Sequence, residues 1–169
     1  MIGTFDRFLL ICGVLGTPVF LLFTFLLRLL YPYQYLNQTI SSLGALDSPV
    51  SALANVLVFN LFGILIGLFA IGVFRSPEVR AAGKIGSVFF LLAGVSMFLV
   101  GIFPASMAQF GLPTAGDLIH NGFAFYPFPL MAIGFVLFAL DVMTHKKLGW
   151  LVFPIVLVGP AALIIRYFA

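Results

Sequence analysis

The chain has 169 residues, of which 63% are hydrophobic and 8% are charged, and its formal net charge is +3. This composition excludes a water-soluble globular domain, because too few polar side chains are available to cover its surface. The few charges lie at the ends of apolar segments, which excludes a nucleic-acid-binding surface.

Five apolar segments follow one another, and each is long enough to cross a hydrocarbon core of about 30 Å as a helix of about 20 residues. Transmembrane β-strands are about 10 residues long and alternate in polarity, unlike these segments. The predicted fold class is therefore all-α, a polytopic transmembrane helix bundle in one domain over residues 1–169. Its helices are expected at about residues 8–30, 50–74, 85–103, 118–140 and 148–165.

The first segment follows Arg7 and is too long for the apolar part of a cleaved signal peptide, so we expect it to remain as a helix. Its residue Cys12 is the only cysteine of the chain and cannot form an intrachain disulfide. Arg28 lies near the end of this helix, where a long basic side chain can reach lipid headgroups.

A polar loop at residues 31–49 separates the first two helices and contains no lysine or arginine. The sequence Asn37-Gln38-Thr39 in this loop matches an N-glycosylation sequon. Before the second helix, Ser48 is a plausible N-cap, and Pro49 suits the first helical turn because it lacks an N–H group.

The second and third helices contain small residues that allow two helix backbones to approach closely. We expect these residues to pack helix against helix: Gly63, Gly67, Ser87, Gly94 and Gly101. Asn55 and Asn60 in the second helix are interpreted as donors of hydrogen bonds between helices.

Basic residues predict the orientation of the bundle, because loops that stay in the cytoplasm carry the excess of lysine and arginine. Arg75, Arg80 and Lys84 lie between the second and third helices, and Lys146 and Lys147 lie between the fourth and fifth. The two alternate loops, residues 31–49 and 104–117, contain none. We therefore predict a multi-pass protein of the cell membrane with a cytoplasmic N-terminus, an exterior C-terminus and both polar loops outside.

The fourth helix begins with the spacing of a capping box, formed by Thr114 and Asp117. His120 follows one turn later and shares a helix face with Asp117, so the pair could serve as a general base or as an ordinary interfacial hydrogen bond. Pro127 favours a bend that would open this face or only curve the helix. No second histidine or cysteine lies near His120, so no metal site and no cofactor are predicted.

Arg166 lies near the predicted exterior end of the fifth helix, as Arg28 does for the first. Both arginines either reach outer headgroups or pair with the exterior acids Asp47 and Asp117.

Three motifs together resemble the domain-of-unknown-function 998 family of prokaryotic membrane proteins: "ISSLGALDSP" at residues 40–49, "GIFP" at 101–104 and "HNGFAF" at 120–125. The resemblance implies a bundle of about six helices without an assigned activity. More distantly, the "I-S-x-x-G" loop is similar to that of the GPI-lipid remodelling and autophagy-modulator membrane proteins, which implies lipid handling by analogy. The chain differs from the family in having Ser42 where an aspartate is usual, and in fitting five helices.

The favoured hypothesis is a protein that binds a lipid or another amphiphile at a polar site near the exterior face. The candidate ligand-binding residues are Arg28, Ser41, Ser42, Asp47, Asp117, His120, Asn121 and Arg166. The alternative is an accessory subunit of a larger complex, with a membrane-protein partner or as a homo-oligomer. A hydrolase or transferase using His120 and Asp117 is a third possibility. It is disfavoured because no G-x-S-x-G motif is present and Ser42 replaces the acid, so no catalytic residue is assigned.

Overall fold

The structure is a computed structural model that describes residues 3–31, 39–106 and 114–144, and these residues form helices joined by turns, without a β-strand. We number the helices α1 (Thr4–Leu30), α2 (Ser51–Arg75), α3 (Ala81–Ile102), α4 (Ala115–Phe125) and α5 (Pro127–Met143). A short 3-10 helix at Ile40–Gly44 precedes α2. The all-α prediction is confirmed for the described residues.

Within the described ranges, four stretches are long and apolar enough to cross a membrane: α1, α2, α3 and the combined stretch Ala115–Met143, which contains α4 and α5. They agree with the first four predicted helices to within a few residues at each end. The predicted fifth helix at residues 148–165, Arg166 and the sequon at Asn37 all lie outside the described residues.

Consecutive membrane-crossing stretches run antiparallel, with α4 and α5 together forming one stretch, and contacts at the two ends of the bundle show this. At one end, which we call the basic end, Arg75 Nε donates to Asp6 Oδ1 at 3.0 Å, and the backbone N–H of Arg80 donates to Asp141 Oδ1 at 2.9 Å. At the opposite loop end, Leu46 N–H donates to the carbonyl of Ala105 at 2.8 Å and joins the two polar segments. Helix α2 packs between α1 and α3, and α3 packs between α2 and α5. The core therefore lies along α2 and α3.

Glycines set the distance between these helices. A Cβ atom added to Gly63 of α2 would lie 2.6 Å from the carbonyl oxygen of Gly94 in α3, and one added to Gly94 would lie 2.7 Å from that of Gly63. Gly86 of α3 and Gly134 of α5 approach each other in the same way. The predicted small-residue packing between the second and third helices is confirmed.

Helix α2 contains a π-helical segment, Ala54–Asn60, between two α-helical parts. Asn60 Nδ2 donates to the carbonyl of Phe98 in α3 at 2.6 Å, which confirms the predicted bond between helices. Asn55 Nδ2 instead donates to the carbonyl of Gly44 at 2.9 Å, so it holds the 3-10 helix and not a neighbouring membrane helix. Segments of π-helix interrupt the regular ladder and occur often at functional sites.

The predicted N-cap of the second helix is wrong by two residues, because Val50 and not Ser48 occupies this position. Helix α2 begins at Ser51, and Ser48 precedes it in a turn, where its Oγ accepts from Val50 N–H at 3.4 Å. Ser51 Oγ bonds the carbonyl of Gly44 at 2.9 Å. The start of the helix is therefore tied to the 3-10 helix, and Ser48 is not its N-cap.

The predicted bend near Pro127 is confirmed, because α4 ends at Phe125 and α5 begins at Pro127. Proline has no N–H to continue the helical ladder, and its ring excludes a regular turn before it. Pro18, in contrast, lies inside the continuous helix α1.

Asp141 was not among the residues predicted to be functional, and only 2% of its surface is exposed. Its carboxylate lies at the N-terminus of α3, where it accepts the N–H of Arg80, the N-cap residue. A Cβ on Gly83 would lie 3.1 Å from Asp141 Cγ, so the glycine leaves room for the acid. A negative charge at this position stabilises the positive end of the helix dipole.

We expect Asp141→Asn to lower the free energy of unfolding by about 1 kcal/mol, because the amide keeps an acceptor oxygen but loses the charge facing the helix N-terminus. The measurement is unfolding in mixed detergent micelles. Asp6→Asn is the matched control, since it removes an exposed ion pair at the same end and should cost less than about 0.5 kcal/mol. An equal effect of the two variants would contradict the role given to Asp141.

Candidate functional site

Asp117 organises the loop end. Its carboxylate accepts the N–H of Thr114 at 2.8 Å, Thr114 Oγ1 at 2.7 Å, the N–H of Ser106 at 2.6 Å and Ser106 Oγ at 3.0 Å. The Asp117 N–H donates to Thr114 Oγ1 at 3.2 Å, which completes the predicted capping box. Because both oxygens are occupied by these donors, Asp117 joins the start of α4 to the segment that follows α3.

His120 is buried, with 1% of its surface exposed, and its Nδ1 lies 2.7 Å from the carbonyl oxygen of Phe103. A carbonyl can only accept, so Nδ1 donates the proton of this hydrogen bond. Nε2 is buried without a hydrogen-bond partner in the described part of the chain. His120 thus bonds with Phe103, while Asp117 bonds with Ser106 and Thr114.

Hydroxyl groups cluster where the 3-10 helix begins. Thr39 Oγ1 lies 2.7 Å from Ser41 Oγ and 3.4 Å from Ser42 Oγ. Asn121 is exposed on α4 and its amide forms no hydrogen bond with other described residues. These side chains supply both donors and acceptors without any charge.

A cavity of about 350 Å³ lies among α1, α2, α3 and the α4–α5 break, next to the 3-10 helix. Its apolar walls are formed by Phe20, Ile40, Phe59, Met97, Val100, Ala124, Phe125 and Phe128. Its polar rim consists of Thr39, Ser41 and Asn121. The cavity borders the break before Pro127, but Asp117 and His120, whose helix face the bend was expected to open, do not line it.

Two of the eight candidate residues, Ser41 and Asn121, line the cavity. Arg28, Ser42, Asp47, Asp117 and His120 are placed at the loop end but do not line it, and Arg166 lies outside the described residues. Arg28 is half-buried in the last turn of α1, and Asp47 is exposed. Of the predicted residues that the structure describes, two therefore line the cavity and five lie elsewhere at the loop end.

Neither Thr39 nor the apolar wall of the cavity was predicted to be part of a binding site. Thr39 was noticed only as the third position of the sequon. Phenylalanines such as Phe20 and Phe59 carry no distinguishing signal in a chain with 21 of them. Besides the selected residues Ser41 and Asn121, the proline at position 127 was the sequence feature that indicated a cavity here.

The described lining of the cavity is suited to binding rather than to acid–base chemistry, because it includes no titratable side chain. Within the described ranges, no group of three His, Cys, Asp or Glu side chains could hold a metal ion. Apolar walls beneath a hydrogen-bonding rim are the usual arrangement of a site for a small amphipathic molecule.

A family model with the description "Protein of unknown function (DUF998)" matches residues 14–168. No curated protein and no solved structure matches the chain. The similarity to GPI-lipid remodelling proteins is therefore not shown. Two of the three motifs that resemble the family fall on the cavity: Ile40 and Ser41 of the first motif, and Asn121, Ala124 and Phe125 of the third.

Proposed function

This chain belongs to the family of proteins of unknown function DUF998, and from its geometry we propose that it is a multi-pass membrane protein that binds an amphiphile in the cavity at its loop end. The cavity carries this proposal. Its volume of about 350 Å³ lies within the range of small-molecule sites, about 300–1,000 Å³, and its walls are almost entirely apolar.

The position of the cavity suits a ligand that comes from the membrane. Its walls belong to helices long and apolar enough to span a bilayer, whereas its rim belongs to the loop end. The excess of basic residues at the opposite end favours a loop end on the exterior face of the cell membrane. A ligand would then place its apolar part among the helices and its polar part at the exterior interface.

The accessory-subunit hypothesis stays a prediction without a specific observation in its favour. Helix α1 exposes Phe8, Leu15, Leu22 and Phe25, among others. Lipid tails are as apolar as these side chains, so an exposed apolar helix face in a membrane protein does not by itself indicate a protein partner.

We expect Ala124→Phe to fill the cavity and to weaken binding of a fluorescent single-chain amphiphile by at least about tenfold, a loss of about 1.4 kcal/mol. Ala124 is partly buried and lines the cavity, so the added ring occupies the space that a ligand would use. Binding is measured by titration of the purified chain in detergent micelles.

Ile119→Phe is the matched control, because Ile119 lies on the same helix, is exposed and does not line the cavity. It introduces the same side chain and should leave affinity unchanged. Equal affinities of the two variants and the parent chain would contradict binding in this cavity.

A further inference from the structure

Among the residues that the structure describes, no charged side chain lines the cavity. The polar residues of this described lining are Thr39, Ser41 and Asn121, which carry two hydroxyls and one amide. An anionic head group buried beside such a rim would lose hydration without gaining a cation, and that is costly. A neutral head group needs only hydrogen bonds.

The charged residues nearest to the rim in the sequence do not supply what the rim lacks. Arg28 lies in the last turn of α1 and is not part of the lining. Both oxygens of Asp117 accept hydrogen bonds from Ser106 and Thr114, so this acid is committed to the loop structure. The described rim is therefore neutral, and it contains neither a cation nor an anion that could pair with a charged ligand.

The hydrogen-bonding groups of the rim are suited to binding the oxygen atoms of a ligand. The amide of Asn121 offers two N–H donors and one acceptor and forms no hydrogen bond with other described residues. The hydroxyls of Thr39 and Ser41 lie 2.7 Å apart, so one donates to the other and the second proton is available to a ligand. A hydroxyl or carbonyl oxygen can pair with both groups.

The volume limits the apolar part of the ligand. At about 350 Å³ the cavity is near the lower end of the range for small-molecule sites. Aromatic side chains on several helices form much of its wall, among them Phe20, Phe59 and Phe128. This space suits part of one hydrocarbon chain and not the two chains of a phospholipid.

We propose that the cavity selects a neutral, single-chain amphiphile whose head group carries hydroxyl or carbonyl oxygens, of the monoacylglycerol class, and that Ser41 and Asn121 recognise this head group. The proposal rests on the proposed function, because it names the class of ligand for the same cavity. The rim residues then recognise the head group, and Arg28 has no electrostatic role in this recognition.

The test uses two photoactivatable probes with the same acyl chain, a neutral monoacylglycerol and an anionic lysophosphatidic acid, each added to the purified full-length chain. We expect the monoacylglycerol to label the protein with an affinity at least about tenfold higher than the lysophosphatidic acid. The double variant Ser41→Ala/Asn121→Ala should lower the affinity for the neutral probe about tenfold, since it removes the rim hydrogen bonds.

Thr17→Ala is the matched control, because this exposed hydroxyl on α1 does not line the cavity and its removal should leave both affinities unchanged. An equal or higher affinity for the anionic probe, or an unchanged affinity of the double variant, would overturn the assignment of the head group. If Ala124→Phe still abolishes labelling in that case, the cavity remains the binding site. If Ala124→Phe leaves the labelling by both probes unchanged, the proposed function fails together with this inference.

Discussion

Replacing Gly63 by alanine is expected to lower the free energy of unfolding by roughly 2 kcal/mol. The new Cβ would lie 2.6 Å from the Gly94 carbonyl oxygen and 2.6 Å from the Phe98 backbone nitrogen. Both are backbone atoms of α3, so α2 and α3 must separate to relieve the overlap. Overpacking of a close-packed interface costs about 1–3 kcal/mol, and the better helix propensity of alanine offsets only part of this.

Gly67→Ala provides a matched control within the same helix. A Cβ at Gly67 would meet only Leu91 Cδ1, at the ordinary contact distance of 3.8 Å. This variant should therefore be as stable as the parent chain or slightly more stable. The two variants are compared by unfolding in mixed micelles, and a Gly63→Ala protein as stable as Gly67→Ala would show that the α2–α3 interface is looser than described.

The close packing of α2 on α3 could be predicted from sequence because small residues at helical spacing have few other uses in a membrane helix. Sequence could not distinguish Gly63 from Gly67, however. Both belong to "GILIG" and both lie against Gly94, and only the three-dimensional crossing decides at which of them an added Cβ would meet the backbone of α3. The same limit applies to the capping box, whose spacing predicted the bond between Thr114 and Asp117 but not the additional bonds to Ser106.

The cavity was largely beyond prediction for a related reason. Its described walls come from all five helices and the 3-10 helix, and each wall residue is one apolar side chain among many. What sequence does contain is the local exception, such as the proline that breaks the fourth span at Tyr126. Asp141 is the opposite case, because a buried acid in an apolar helix was visible in the sequence, yet its partner Arg80 is 61 residues away.

The Asp117 carboxylate is expected to be the most sensitive polar group of the loop end. Asp117→Ala should lower the free energy of unfolding, because it leaves the N–H groups of Ser106 and Thr114 without their acceptor. Hydrogen bonds to charged groups are among the stronger ones, and the partly buried Ser106 N–H has less access to water than that of the exposed Thr114. Hydrogen exchange at the Ser106 amide should also accelerate, since this N–H donates to Asp117 Oδ1 at 2.6 Å.

Thr114→Ser tests whether the hydroxyl group of residue 114, and not the size of its side chain, maintains the hydrogen bonds with Asp117. Serine keeps the hydroxyl that both donates to Asp117 and accepts from its N–H, so this variant should unfold within about 0.5 kcal/mol of the parent chain. Asp117→Asn should fall between the two, because its amide nitrogen cannot accept a hydrogen bond and would face the donors of one oxygen. If Asp117→Ala is no less stable than Thr114→Ser, the carboxylate does not hold the two segments together. In that case Asp117 only caps α4, and the cavity beside it must be maintained by the packing of α3 and by the bonds of Ser51 and Asn55 to Gly44.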